Sequence, residues 1–186
     1  MERKGIDSKT SYFLEGVLAV VLLLLVSYAQ WHVTPSPPIR EAVLDTLRIL
    51  GDTALASNDV PVGAVVLYGD RIIGEGFNTV ERDTAAGGHA EINAISDAFR
   101  HVGYEAFQKL NRDSLVLVST FEPCLMCRGA ILEYRIRHVV FVKGKPIFHW
   151  LKEDFRTFAY YWRRRQAGPE ALQDSLFARH PQFQRD

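Results

Sequence analysis

Apolar and polar positions divide the chain into three unlike stretches. From Gly16 to Ala29 it reads GVLAVVLLLLVSYA, with no polar face. Widened to Tyr12–Trp31, the run covers 20 residues, enough at about 1.5 Å per residue to cross a bilayer. Tyr12, Tyr28 and Trp31 suit its two interfaces. The lack of a polar face argues against a core helix of a globular domain. The remaining rival is a cleaved signal peptide, with Val17–Val26 as its apolar centre and Ser27 and Ala29 at the −3 and −1 positions. The expectation is a single-pass anchor over residues 12–31. Arg3, Lys4 and Lys9 precede it and favour a cytoplasmic N-terminus, which would put the rest of the chain outside the cytoplasm. Thr34-Pro35-Ser36-Pro37-Pro38 then forms a stiff, extended spacer.

From Ile39 the pattern changes to that of a folded domain. Ile39, Val43, Leu47, Leu50 and Ala54 recur at three- or four-residue intervals and form one helical stripe. Val62–Leu67 and Arg71–Gly76, joined by Tyr68-Gly69-Asp70, read as a β-hairpin. Asn78–Gly88 reads as a polar loop. A helix is expected from His89 through Ile92, Ile95, Ala98 and Phe99. A buried strand over Ser114–Ser119 follows, then a helix over Cys124–Tyr134 and a strand over His138–Val142. The order α-β-β-α-β-α-β, followed by a helical tail, predicts an α/β fold with helices packed on a mixed sheet. The organisation is a membrane segment at 1–31, a spacer at 32–38, a domain at 39–148 and a helical extension, packed on the domain, at 149–186.

Composition adds limits. The chain has 186 residues, 47% hydrophobic and 24% charged, which fits one folded domain and argues against disorder. Lys+Arg and Asp+Glu both number 22, so total charge gives no reason to expect a polyanionic partner. The two cysteines are spaced C-x-x-C. They cannot form a disulfide framework, and metal binding or redox chemistry is the better use.

Two motifs carry the chemistry, His89-Ala90-Glu91 and Pro123-Cys124-Leu125-Met126-Cys127. Each falls where a helix is expected to begin, and helix N-termini favour thiolate over thiol. Zinc accepts sulfur and nitrogen donors, and a catalytic site uses three protein ligands with one position left for water. His89, Cys124 and Cys127 supply three. A closed structural site would need a fourth, and there is no third cysteine. Glu91, two residues past His89, can face the open position and act as general acid and base.

The combination H-x-E with P-C-x-x-C is the known signature of the zinc deaminases. Residues 60–142 resemble the cytidine deaminase superfamily, and within it the branch of tRNA adenosine deaminases and bacterial guanine deaminases. The resemblance lies in PVGAVV at 61–66, IIGEGFN at 72–78, HAEINAI at 89–95 and FEPCLMCRGAIL at 121–132. It implies a three-layer α/β/α fold and hydrolytic release of ammonia from a nucleobase, nucleoside or nucleotide. It also implies one zinc on His89, Cys124 and Cys127, and proton transfer by Glu91. Asn78 matches a substrate-contacting asparagine, and Ala64 lies in the stretch that lines the base pocket in relatives. A homodimer is a further implication.

The resemblance has departures. The loop before His89 is glycine-rich (Asp83-Thr84-Ala85-Ala86-Gly87-Gly88), and the stretch after Val142 matches neither branch. Phe121 and Met126 are expected in the core or pocket wall, and His101, His138 and His149 as surface or partly buried residues rather than ligands. Arg163-Arg164-Arg165, with Arg135, Arg137, Lys143 and Lys145, could form an RNA-binding patch. A solvated helix face is the preferred reading of these charges.

Overall fold

The computed structural model describes residues 8–32, 38–164 and 170–180. Positions 33–37, which hold most of the proline-rich spacer, and Arg165 lie outside the described residues, as do Arg3 and Lys4. The elements are α1 (Ser8–His32), α2 (Glu41–Ala56), β1 (Gly63–Tyr68), β2 (Arg71–Phe77), α3 (Val80–Asp83), α4 (Ala90–Val102), α5 (Tyr104–Gln108), β3 (Leu115–Phe121), α6 (Leu125–Glu133), β4 (His138–Lys143), α7 (Ile147–Arg163) and α8 (Glu170–Phe177).

The strand order is β2-β1-β3-β4. β1 pairs antiparallel with both β2 and β3. β3 and β4 are parallel, with Val116 opposite His138 and Phe121 opposite Lys143. A parallel pair cannot be closed by a tight turn, and α6 supplies the crossover. The sheet is therefore mixed, as expected.

Alternation along the strands separates two cores. Val65, Leu67 and Val118 pack with Val43, Leu47 and Leu50 of α2. Ala64, Val66, Leu115 and Leu117 face the other way and pack with Ala90, Ala94, Ile95 and Ala98 of α4 and Ile131 of α6. The result is helix, sheet, helix: three layers. The helix α2 buries Val43, Leu47, Leu50 and Ala54, four of the five positions of the sequence stripe.

Close approach of α4 to the sheet depends on glycine. A Cβ at Gly76 would lie 2.3 Å from the Ala90 carbonyl oxygen, and one at Gly74 2.3 Å from that of Ala94. These two positions let α4 backbone lie directly on β2.

The membrane expectation is corrected. Among the described residues no helix is long and apolar enough to cross a membrane. The anchor over 12–31 and the extracytoplasmic placement built on it therefore fall. The Tyr28 hydroxyl donates instead to the Asp154 carboxylate of α7.

The stretch after β4 forms α7 and α8, and the burial of α7 is limited. Only Trp150 and Glu153 of α7 are buried. Phe148, Phe155, Phe158 and Trp162 stand exposed. Two short helices, α3 and α5, were not foreseen. At four and five residues they are too short to show a helical period.

Candidate metal centre

Both ligand-bearing motifs open helices on the same side of the sheet. His89 is the N-cap of α4 and Cys124 the N-cap of α6, each with extended backbone. Their carbonyls accept the first helical bonds, from the Asn93 and Arg128 N–H groups at 2.9 and 2.8 Å. Cys127 lies one turn into α6 and is buried. Residues 35 and 38 apart in sequence are thereby brought into contact.

The donor atoms have the spacing of a tetrahedral zinc face. Cys124 Sγ lies 3.5 Å from His89 Nδ1, Cys127 Sγ lies 3.4 Å from it, and the sulfurs are 3.6 Å apart. Zn–S and Zn–N bonds of about 2.3 and 2.05 Å at tetrahedral angles require edges of about 3.8 Å between sulfurs and 3.6 Å between sulfur and nitrogen. A disulfide would need an S–S distance of about 2.05 Å. Among the described residues, these three form the group that could hold a metal ion.

Glu91 is buried on the first turn of α4, and its Oε2 lies 3.3 Å from Cys127 Sγ. Burial raises its pKa above the ordinary 4.5, a shift moderated by its own N–H and by Cys127. Cys124 is pulled down to about 5, chiefly by the hydrogen bond from Cys127, with the Cys127 and Met126 N–H groups adding to it. Cys127 is pushed up, because its proton is shared with Cys124 and its sulfur is desolvated.

A cavity of about 310 Å³ includes His89, Glu91 and Cys124 in its lining. A larger surface groove of about 490 Å³ beside Arg71 and His101 has neither cysteine in its lining. Asn78 lines the cavity, and its Oδ1 accepts the Val80 N–H at 3.0 Å. Ala64 does not line it. That residue is fully buried within the core, and Val60 and Val62 form the wall before β1. Phe121 lines the cavity as expected, whereas Met126 is 40% exposed and belongs to neither core nor wall. His101, His138 and His149 are exposed.

Three cavity residues were not singled out as part of the site. Asp59 is buried and accepts the Ser57 hydroxyl at 2.8 Å and the Glu81 N–H at 2.7 Å. It caps α3 from outside, the role usually taken by the residue just before a helix. Burial opposes its charge, yet the bonds from Ser57, Glu81 and Arg82 together hold its carboxyl below the ordinary range. Lys145, read as a surface cation, is only 9% exposed. Glu122 flanks the cysteine motif and joins Lys145 in the wall. Proximity to Pro123 was the one sequence signal for Glu122, and Lys145 had none.

Comparison with known proteins agrees with this geometry. The tRNA-specific adenosine deaminase of Haemophilus influenzae is 43% identical over 95 residues, 50% of this chain and 51% of that protein. The tRNA(Ile)-lysidine synthase of Deinococcus radiodurans is 39% identical over 113 residues, 60% of this chain but 18% of the relative. The chain thus spans about half of the adenosine deaminase and under a fifth of the synthase. Among solved structures, a tRNA:A34 deaminase matches with a TM-score of 0.50 and 30% identity, over 55% of this chain and 75% of that one. Guanine deaminase from Bacillus subtilis matches in fold, with a TM-score of 0.57 and 24% identity, over 76% and 93% of the two chains. Residues 40–143 match the cytidine and deoxycytidylate deaminase zinc-binding region, and the chain belongs to that family.

Proposed function

We propose that this chain is a zinc-dependent hydrolase that removes the exocyclic amine of a nucleobase, nucleoside or nucleotide as ammonia. The observation that carries this reading is a tetrahedral three-donor set beside a buried carboxylate, both opening on one cavity. His89, Cys124 and Cys127 hold the metal, which when bound supplies a water of lowered pKa, from about 15.7 towards 7. Glu91 is the proton carrier. Its raised pKa suits a group that must both take and give a proton near neutrality. It carries one proton of the water to the ring nitrogen and the second to the departing amine, so that water and amine become carbonyl and ammonia. Asn78 spends its carboxamide oxygen on the Val80 N–H, and its NH₂ group is the donor it offers to substrate. Ala64 acts on the pocket only from behind, as part of the core.

The test is ammonia release from a panel of bases, nucleosides and nucleotides, with Glu91→Gln alongside. The variant should keep its zinc and lose turnover by at least about 100-fold, the lower range for acid–base catalysis. A Glu91→Gln protein with full activity would refute the assignment. A zinc module without catalysis would release no ammonia from any member of the panel.

A tRNA adenosine deaminase is the second reading. Two of the matched proteins bear that activity in their names, and the exposed face of α7 mixes Phe155, Phe158 and Trp162 with Arg156 and Arg163. Binding of tRNA that weakens steeply with salt supports it. Absence of binding at low salt removes it.

A further inference from the structure

The connection from β4 to α7 is clasped to the cysteine turn by a buried polar cluster. Lys145 Nζ donates to Glu153 Oε1 at 2.8 Å and to the Pro123 carbonyl at 3.0 Å. The Lys145 N–H donates to Glu122 Oε2 at 2.6 Å, and the same oxygen accepts Trp150 Nε1 at 2.9 Å. Glu153 also takes Arg128 of α6. Two cations and two anions are thereby gathered around the peptide that immediately precedes Cys124.

Stability alone is a poor account of such a cluster. Desolvating paired charges commonly offsets their attraction, and apolar residues of similar volume would hold α7 at least as well. What a buried ammonium adds is direction. It can hold one carbonyl at one place, and the Pro123 carbonyl belongs to the peptide unit that leads into the N-cap of α6. Rotation of that peptide would swing Cys124 relative to His89 and Cys127. Partners that orient metal ligands from behind act in this way.

We propose that Lys145, locked by Glu153 of α7, is a positioning residue that sets the direction of the Cys124 sulfur in the metal centre. This rests on the reading of His89, Cys124 and Cys127 as the zinc ligands. It makes the first turns of α7 part of the site, although this segment lies beyond the family's matched residues.

The test compares the full chain with Lys145→Met, with Lys145→Arg and with the double variant Lys145→Met/Glu153→Leu. Zinc affinity is read by competition with a chromophoric chelator. Cobalt(II) in place of zinc reports ligand geometry through its thiolate-to-metal and d–d absorption bands. Lys145→Met should weaken zinc binding by about 10-fold or more and shift the cobalt bands. Lys145→Arg, which keeps a donor cation, should recover part of both. The double variant removes the stranded Glu153 charge. It should regain the melting temperature but not the zinc affinity or the cobalt spectrum. A double variant with the parental affinity and spectrum would overturn the proposal, since the cluster would then be only structural. Should neither Lys145→Met protein fold, Glu153→Gln carries the same two readings, and an unchanged spectrum there overturns it equally. Failure of the ligand reading is visible separately: the parental chain would lack thiolate–cobalt bands, or Cys124→Ala would bind zinc as the parent does.

Discussion

Replacing Gly76 by alanine should lift the start of α4 off the sheet and carry His89 away from the cysteines. The new Cβ would lie 2.3 Å from the Ala90 carbonyl oxygen and 2.3 Å from the Ala94 nitrogen. Both are helix backbone, so no side chain can swing aside. Ordinary contact begins near 3.4 Å, so the helix must retreat by about 1 Å. Ala90 directly follows His89, whereas Cys124 and Cys127 ride on α6 and have no reason to follow. The donor edges now match a zinc tetrahedron to within about 0.2 Å, which is also the tolerance of such sites. A displacement several times larger should cut turnover by about 100-fold and weaken zinc binding. Overpacking of this kind costs about 1–3 kcal/mol, which for a domain of this size lowers the melting temperature by roughly 4–12 °C. Thermal melts and chelator-competition titrations read both effects. Gly87→Ala is the control, because nothing lies within 4 Å of a Cβ there. If Gly76→Ala binds zinc like the parent and melts with the control, the glycine contact does not set the position of His89.

Three further outcomes follow from the charges of the site. Cys124 has its pKa lowered to about 5 while that of Cys127 is raised, so near pH 7 only Cys127 must lose a proton to the metal. Apparent zinc affinity should rise about tenfold per pH unit there, and calorimetry in buffers of different ionisation heat should count one released proton, a count of two or none being the refuting result. The folded Glu91 carboxyl holds its proton to higher pH than an unfolded one, so its stabilising contribution is complete below about 4.5 and is lost as pH rises through the folded value. The metal-free chain should therefore be stabilised by Glu91→Gln at neutral pH and not at pH 4, as melts at the two values will show. Asp59→Ala removes the acceptor of the Glu81 and Arg82 N–H groups and should loosen residues 79–88. Protease cleavage of that segment and KM should rise while zinc affinity stays level, and a selective loss of zinc would contradict this role.

Much of the site was legible because its signals are local. A stripe at helical spacing, a hairpin turn and a C-x-x-C on one helical turn are each set by a few consecutive residues. The chemistry of His89, Glu91, Cys124 and Cys127 goes with their side chains wherever the chain takes them. The apolar run at 16–29 shows the limit of local signals, since hydrophobicity suggested an anchor while no described helix is long and apolar enough to cross a membrane. Ala64 shows the same limit within the domain. Strand alternation marks it as inward-facing, but whether inward means core or pocket depends on what packs opposite.

The sequence by itself determined the order of the main elements, the mixed sheet and the candidate donor set, because periodicity and ligand chemistry are properties of short segments. Tertiary structure alone decided that His89 meets the cysteines at tetrahedral spacing and that Asp59 caps a helix 22 residues away. It alone decided that Lys145, a surface charge to any local reading, is buried against the Pro123 carbonyl 22 residues back. The physical reason is one of range. Burial and hydrogen-bond partnership are set by whichever segments the sheet brings together, and no single segment records its neighbours.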